Sequence, residues 1–402
     1  MERVQLSTPD RRALAATAGQ FFVNGAMTAA FIARAPQFRD RLGITVDEYG
    51  LLITIASVVG LCGSLIAGRV VHVASTRRVL QVGGAVMVTS LPVIGAARSP
   101  VVWLIGMATY MFADVMVDIS MNLQGSWISA RRHAPVMNRL HGLWSLGTFA
   151  GGLGAVVANA AGLSTFAHLS IVAGVMAVVL VVVTRNLLAV DEDGHGDTPV
   201  VSDPAVEPTR SARRAPVVLL VMAGMFAVVA EVTGGDWSAF RLTDDFGASA
   251  AVASLAFVAY TVGMTLMRFV GDSLQLRLGS MGLHRLSIGL ATAGFVLAVL
   301  VPSEPAALAG FMLAGVGVAT FMPKLYDDAA RLPGRRGAGL GAMTAGTRLA
   351  FLVTPVAVGG LAGTSLAVGS AIAVFTFPAL IGLAVVTEAN HRLLRRRSAS
   401  IA

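Results

Sequence analysis

Four side chains in one stretch have the types and spacing to handle protons or polar cargo. Tyr110, Asp114, Asp118 and Asn122 recur every four residues, which on a helix lines them up as one polar stripe. The stripe interrupts a segment otherwise apolar enough to lie in lipid. An ionised carboxylate is costly in hydrocarbon, so it persists there only where it faces a cavity, a partner or a pathway. Asp114 and Asp118, one turn apart, are placed to load and release a proton as their surroundings change. The structural alternative for both is an ion pair or a helix cap.

Other polar groups interrupt apolar stretches in the same way. Glu231 lies past mid-depth of its stretch and is followed by Gly234-Gly235 and Asp236-Trp237-Ser238. A glycine-interrupted span of this kind builds binding sites or gates, although Asp236 and Trp237 also suit the headgroup level. Arg348, near the middle of its stretch, needs an acid or an anionic ligand. Glu231, Asp114, Asp118 or a substrate carboxylate would serve. Gln20 and Asn24 stand one turn apart, and His141 and Trp144 nearly so; a histidine in such a place is eligible as a proton relay. The expectation is proton coupling through Asp118, Asp114 and Glu231. Substrate contacts would come from Gln20, Asn24, Asn122, His141, Trp144, Asp236, Trp237, Tyr260 and Arg348.

The elements that must position these groups are membrane helices. The chain has 402 residues, of which 13% are charged, and a mean hydropathy of +0.74. Soluble domains carry about twice that charge fraction. The charges cluster in short runs between apolar stretches of roughly the 20 residues that cross a bilayer. Of the 30 Lys and Arg, 24 fall in the N-terminus, the even-side loops and the C-terminal tail. Arg34, Arg39, Arg41, Arg98 and Arg241 fall on the opposite side, and Arg348 lies within a span. That bias places both termini in the cytoplasm, so the net charge of +8 reports topology and not nucleic-acid binding. Abundant Arg, Ala and Gly suggest a GC-rich bacterial genome, hence a bacterial inner membrane.

The expected architecture is all-α, with twelve transmembrane helices in two six-helix halves. Residues 1–184 form the first half, 185–215 an acidic, proline-containing cytoplasmic linker, and 216–402 the second half with its basic tail. Two such halves are the parallel-repeat plan of many secondary transporters. The loop after the second span, Gly68-Arg69…Arg77-Arg78, has a counterpart in Gly271-Asp272…Arg277-Leu-Gly279. Arg77, Arg78, Arg268, Asp272 and Arg277 are therefore expected to act as conformational latches at the cytoplasmic ends. Glycines 147 and 151, and 337 and 341, predict close helix packing. No phosphate-binding loop, metal-ligand cluster or nucleophile elbow occurs, and Cys62 has no partner for a disulfide. These absences argue against an enzyme, a cofactor and direct ATP coupling.

With these residues in view, the chain resembles the major facilitator superfamily over essentially its whole length. The signature loop is partly present: Gly68, Arg77 and Arg78 fit, while His72 stands where the family has Asp. Asp118-Ile-Ser-Met-Asn122, His141-Gly-Leu-Trp144-Ser-Leu-Gly147 and Glu231-Val-Thr-Gly-Gly-Asp236-Trp237 look like the branch near fucose permease, and within it the rhizopine-transport (MosC-like) group. Fucose permease pairs an acid on span 1 with one on span 4; here span 1 offers only Gln20 and Asn24. The resemblance implies a monomeric secondary transporter working by alternating access. Its cargo would be a small polar solute such as a sugar or polyol, coupled to protons. The alternative is a proton-driven drug or metabolite exporter of the same fold.

Overall fold

The structure, a computed structural model, describes residues 7–132, 136–188, 210–330 and 338–401. The regular elements among them are helices. In the first, α1 (Thr8–Ile32), Ser7 caps the amide of Asp10; the next, α2 (Ala35–Leu42), is short and closes on a left-handed Gly43. Then α3 (Val46–Ala74) opens on a capping box formed by Thr45 and Glu48. The first half is completed by α4 (Thr76–Ala96), α5 (Pro100–Arg132), α6 (Met137–Ala160) and α7 (Thr165–Arg185).

The second half comprises α8 (Arg210–Gly235), the single turn α9 (Ser238–Phe240) and a π-helical turn (Arg241–Asp245). It continues with α10 (Ala250–Leu300), α11 (Glu304–Val318), α12 (Phe321–Ala330), α13 (Ala338–Ala362) and α14 (Val368–Ile401). The central part of the expected linker, 189–209, lies outside the described residues, and its last residues already belong to α8.

Eleven helical stretches among the described residues are long and apolar enough to cross a membrane. One helix, α10, supplies two of them, and α11 with α12 supplies another across a break at Ala319-Thr320. The twelfth spanning helix is α1, which at 25 residues is roughly 37 Å long. Gln20 and Asn24 lower its hydropathy, and it is held instead by packing against α5, α6 and α7.

The two halves repeat one another in detail. In the first, α1 crosses α6 where Gly147 and Gly151 lie directly on the backbone of Phe22 and Ala26. In the second, α8 crosses α13 where Gly346 lies on Val221 and Gly224 on Met343. Gly341 has open space around it and is not the packing residue expected of it; Gly337 lies outside the described residues. The connections after the second helix of each half also match. Ser75 has φ 70° and ψ 149°, and Gly279 has φ 72° and ψ 163°. That conformation is nearly confined to glycine, so Ser75 is strained where Gly279 is not.

The start of α1 and the end of α5 share one end of the bundle, where Arg131 pairs with Asp10, here the terminal end; α2 and the π-helical turn mark the far end. The halves meet through α3 with α13 and α6 with α10. At the far end Arg39 pairs with Asp244, and Tyr49 packs on Phe240 at 5.3 Å. Nearby, Asn159 donates to Ser254 Oγ at 2.8 Å, and Ser254 donates to the Ala33 carbonyl at 2.6 Å. Glycines make this contact tight: Gly50 abuts Pro355, and Gly359 abuts Val46 and the ring of Trp237.

Candidate functional site

Within the first half, α1 and α5 run antiparallel and are zipped by side chains. The Thr28 and Tyr110 hydroxyls hydrogen-bond at 2.9 Å. One turn along, Asn24 Nδ2 donates to Asp114 Oδ1 at 2.6 Å. Asn24 Oδ1 in turn accepts from Trp144 Nε1 on α6 at 2.8 Å, so this one amide joins three helices. A further turn along, the register sets Gln20 opposite Asp118. Gln20 is fully buried, yet neither of its amide atoms has a hydrogen-bond partner. Asp118 is bonded instead by Asn122 Nδ2 at 3.1 Å, which also donates to the Asp118 carbonyl at 2.8 Å.

The second half contributes two cations. Arg348 on α13 donates to Ser64 Oγ on α3 at 2.5 Å and acts electrostatically on Asp118. Among the described residues Arg348 forms no ion pair with any of the acids open to it in the sequence; Asp118 is one that it acts on at a distance. Arg268 on α10 donates to Ser145 Oγ and lies 6.0 Å from the Trp144 ring centroid. It is the cation acting on Glu231, and it also acts on Tyr260 and His141. Each arginine therefore reaches across the gap between halves to hold a serine of the other half. Arg268, expected to act as a latch, thus makes its contact with the other half. The non-helical residue within α10 is Gly279, beyond Arg268, so the helix is unbroken where Arg268 stands.

Most of the other expected site residues also gather here. Tyr260 is buried and donates to the Glu231 carbonyl at 3.2 Å. Its ring lies on Gly234, so that glycine makes room for an aromatic and does not break the helix; α8 continues through Gly235. His141 stands edge-on to Phe21 at 5.2 Å. Asp236 acts on Tyr49, and Trp237 is buried at 5.2 Å from Phe240, which places both at the far-end contact. Arg77 donates to the carbonyls of Thr184 (3.2 Å) and Arg185 (3.0 Å), closing the end of α7 within its own half. Arg78 and Arg277 are exposed, and the side chain of Asp272 lies outside the described set.

Two features escaped the sequence reading. Tyr326 on α12 is 51% exposed and lies within electrostatic reach of Asp118 and Glu231, one acid from each half. Lys324 and Asp328, one turn apart on the same helix, form a buried ion pair at 2.5 Å. Both lie beyond the point where the expected tenth span stopped. Among the described residues no group of His, Cys, Asp and Glu is arranged to hold a metal ion.

Residues 16–240 match the family described as Major Facilitator Superfamily, and the chain belongs to that family. It is a multi-pass secondary transporter. Its relatives include Membrane protein MosC of Rhizobium meliloti, 28% identical over 331 residues, covering 79% of this chain and 76% of the relative. An uncharacterised transporter of Sinorhizobium fredii is 26% identical over 322 residues, covering 78% and 81%. The fold is similar to that of the nucleoside transporter NupG, with a TM-score of 0.66 at 14% identity over 95% of this chain and 99% of that one. It is also similar to a bacterial homologue of the human lysosomal transporter Spinster, with a TM-score of 0.64 at 14% identity over 97% and 98%.

Proposed function

We propose that this transporter carries a small polar solute, a sugar, a polyol or a related metabolite, by alternating access coupled to protons. It would do so in a bacterial inner membrane with both termini in the cytoplasm. The reading is carried by one arrangement: Arg348 of the second half crosses to the first, where it donates to Ser64 Oγ at 2.5 Å and comes within electrostatic reach of Asp118. When the halves rock apart around this level, Asp118, whose side chain is exposed, loses its cation while still within the spanning part of α5. A proton then replaces the arginine as the neutralising charge. When the halves close again the arginine returns and the proton leaves.

The charge balance supports the same reading. Asp114, Asp118 and Glu231 outnumber Arg268 and Arg348 in this region, and carboxylates within spanning helices that lack cations call for protons or a positively charged ligand. Cargo contacts come from the amides and aromatic groups beside the acids: Gln20, Asn24, Asn122, Trp144, Tyr260 and Tyr326. The test is uptake into proteoliposomes under an imposed pH gradient, with a panel of sugars, polyols, nucleosides and lipophilic drugs. Gradient-driven accumulation of a polar solute is expected. Movement of lipophilic drugs alone would support the exporter reading, and accumulation of a polar solute indifferent to the gradient would remove proton coupling.

A further inference from the structure

Five arginines stand at the far end against the charge bias of the chain: Arg34, Arg39, Arg41, Arg98 and Arg241. Two of them have acids, since Arg39 pairs with Asp40 and Asp244, and Arg241 with Asp245. The other three pair with no carboxylate among the described residues, and they converge on one corner of the first half. Arg34 is only 4% exposed and donates to the carbonyls of Leu163 (2.9 Å) and Ser164 (3.4 Å). Burial pulls its pKa down to about 10, which leaves it cationic at neutral pH. Arg41 donates to Thr165 Oγ1 (2.9 Å) and the Ala96 carbonyl (3.3 Å). Arg98 is exposed and makes no hydrogen bond or ion pair among the described residues.

Arg41, Ala96, Arg98, Ser164 and Phe166 line an open cleft of about 700 Å³. The first turn of α7 forms one wall, so its amide dipoles add to the positive field of the arginines. The rim is apolar and turned outward: Phe166 is 48% exposed, and Val101 and Val102, just after Arg98, are 64% and 44% exposed. Guanidinium groups suit phosphate, which they bind through paired charge-assisted hydrogen bonds. Cationic groups set against outward-facing apolar side chains at a helix end form the setting in which lipid headgroups are recognised.

We propose that this cleft binds the phosphate of an acidic phospholipid. Arg41 and Arg98 would hold the phosphate oxygens, Arg34 would supply charge from behind Ser164, and an acyl chain would lie along Phe166 and Val101. The lipid would brace α2 and the α4–α5 connection, next to the Arg39–Asp244 contact between the halves.

The test is native mass spectrometry of the full chain in detergent, titrated with phosphatidylglycerol, phosphatidylcholine or inorganic phosphate. Phosphatidylglycerol is expected to be retained in preference to phosphatidylcholine. Arg98→Gln, which loses no internal contact and so should fold, is expected to bind it about tenfold more weakly, the loss of one charge-assisted contact. Arg392→Gln, at the terminal end, should bind as the parent does. Equal retention of the two lipids, or unchanged binding by Arg98→Gln, would overturn the proposal. Displacement of the lipid by millimolar inorganic phosphate would mark a free-anion site and overturn the lipid assignment.

Discussion

Gln20 and Asn24 occupy successive turns of α1 and have opposite hydrogen-bonding states. Asn24 bonds both Asp114 and Trp144, so Asn24→Leu strands a partly buried carboxylate and a partly buried indole. A loss of about 1–3 kcal/mol is expected for each group left unsatisfied, seen as a lower unfolding temperature in detergent. Gln20 bonds nothing, and replacing an unpaired buried amide by an apolar side chain of similar size removes an existing penalty. Gln20→Leu is therefore expected to hold or raise the unfolding temperature while lowering transport. A large drop in stability would show that Gln20 is structural. The acids and amides were legible in the sequence because polar groups stand out in apolar spans. Their partners were not: Arg348 had four candidate partners, and the hydrogen bond it makes is to Ser64 of the other half, a residue with no charge to announce it.

At the scale of elements, the sequence revealed the helices well and their ends poorly. The tenth span seemed to finish at Phe321 because Pro323, Lys324 and two acids follow. The structure continues with α12 because Pro323 falls in its first turn, where no amide is needed, and because Lys324 and Asp328 neutralise each other. Lys324→Met should leave Asp328 buried without its cation and cost about 3–5 kcal/mol, while Lys324→Met with Asp328→Leu should recover much of the loss. Thermal unfolding of the two variants checks both outcomes. The signature-loop glycine is a similar case. Ser75 adopts the backbone geometry that Gly279 adopts in the other half. Ser75→Gly should stabilise the protein, and Gly279→Ala destabilise it, each by about 1–3 kcal/mol. Shifts in unfolding temperature of opposite sign are expected, and no gain from Ser75→Gly would show that Ser75 carries no backbone strain.

For the molecule as a whole, the charge bias, the span count and the two-half repeat were all readable, since each follows from the bilayer's demand on composition. What the sequence could not show was how the halves touch. The closed far end depends on glycines and aromatics that in one dimension look like ordinary span residues. The placement of Arg268 beside Trp144 and Ser145 depends on two helices from different halves. These contacts make the middle of the bundle a place where moving one half changes the charge environment of the other. Transport by Asp118→Asn in proteoliposomes, with and without a pH gradient, probes that link. The variant is expected to exchange solute in counterflow but to lose accumulation driven by the gradient by at least about tenfold, the worth of one coupled charge interaction of 1.4 kcal/mol. Gradient-driven accumulation at the wild-type rate would contradict the role given to Asp118.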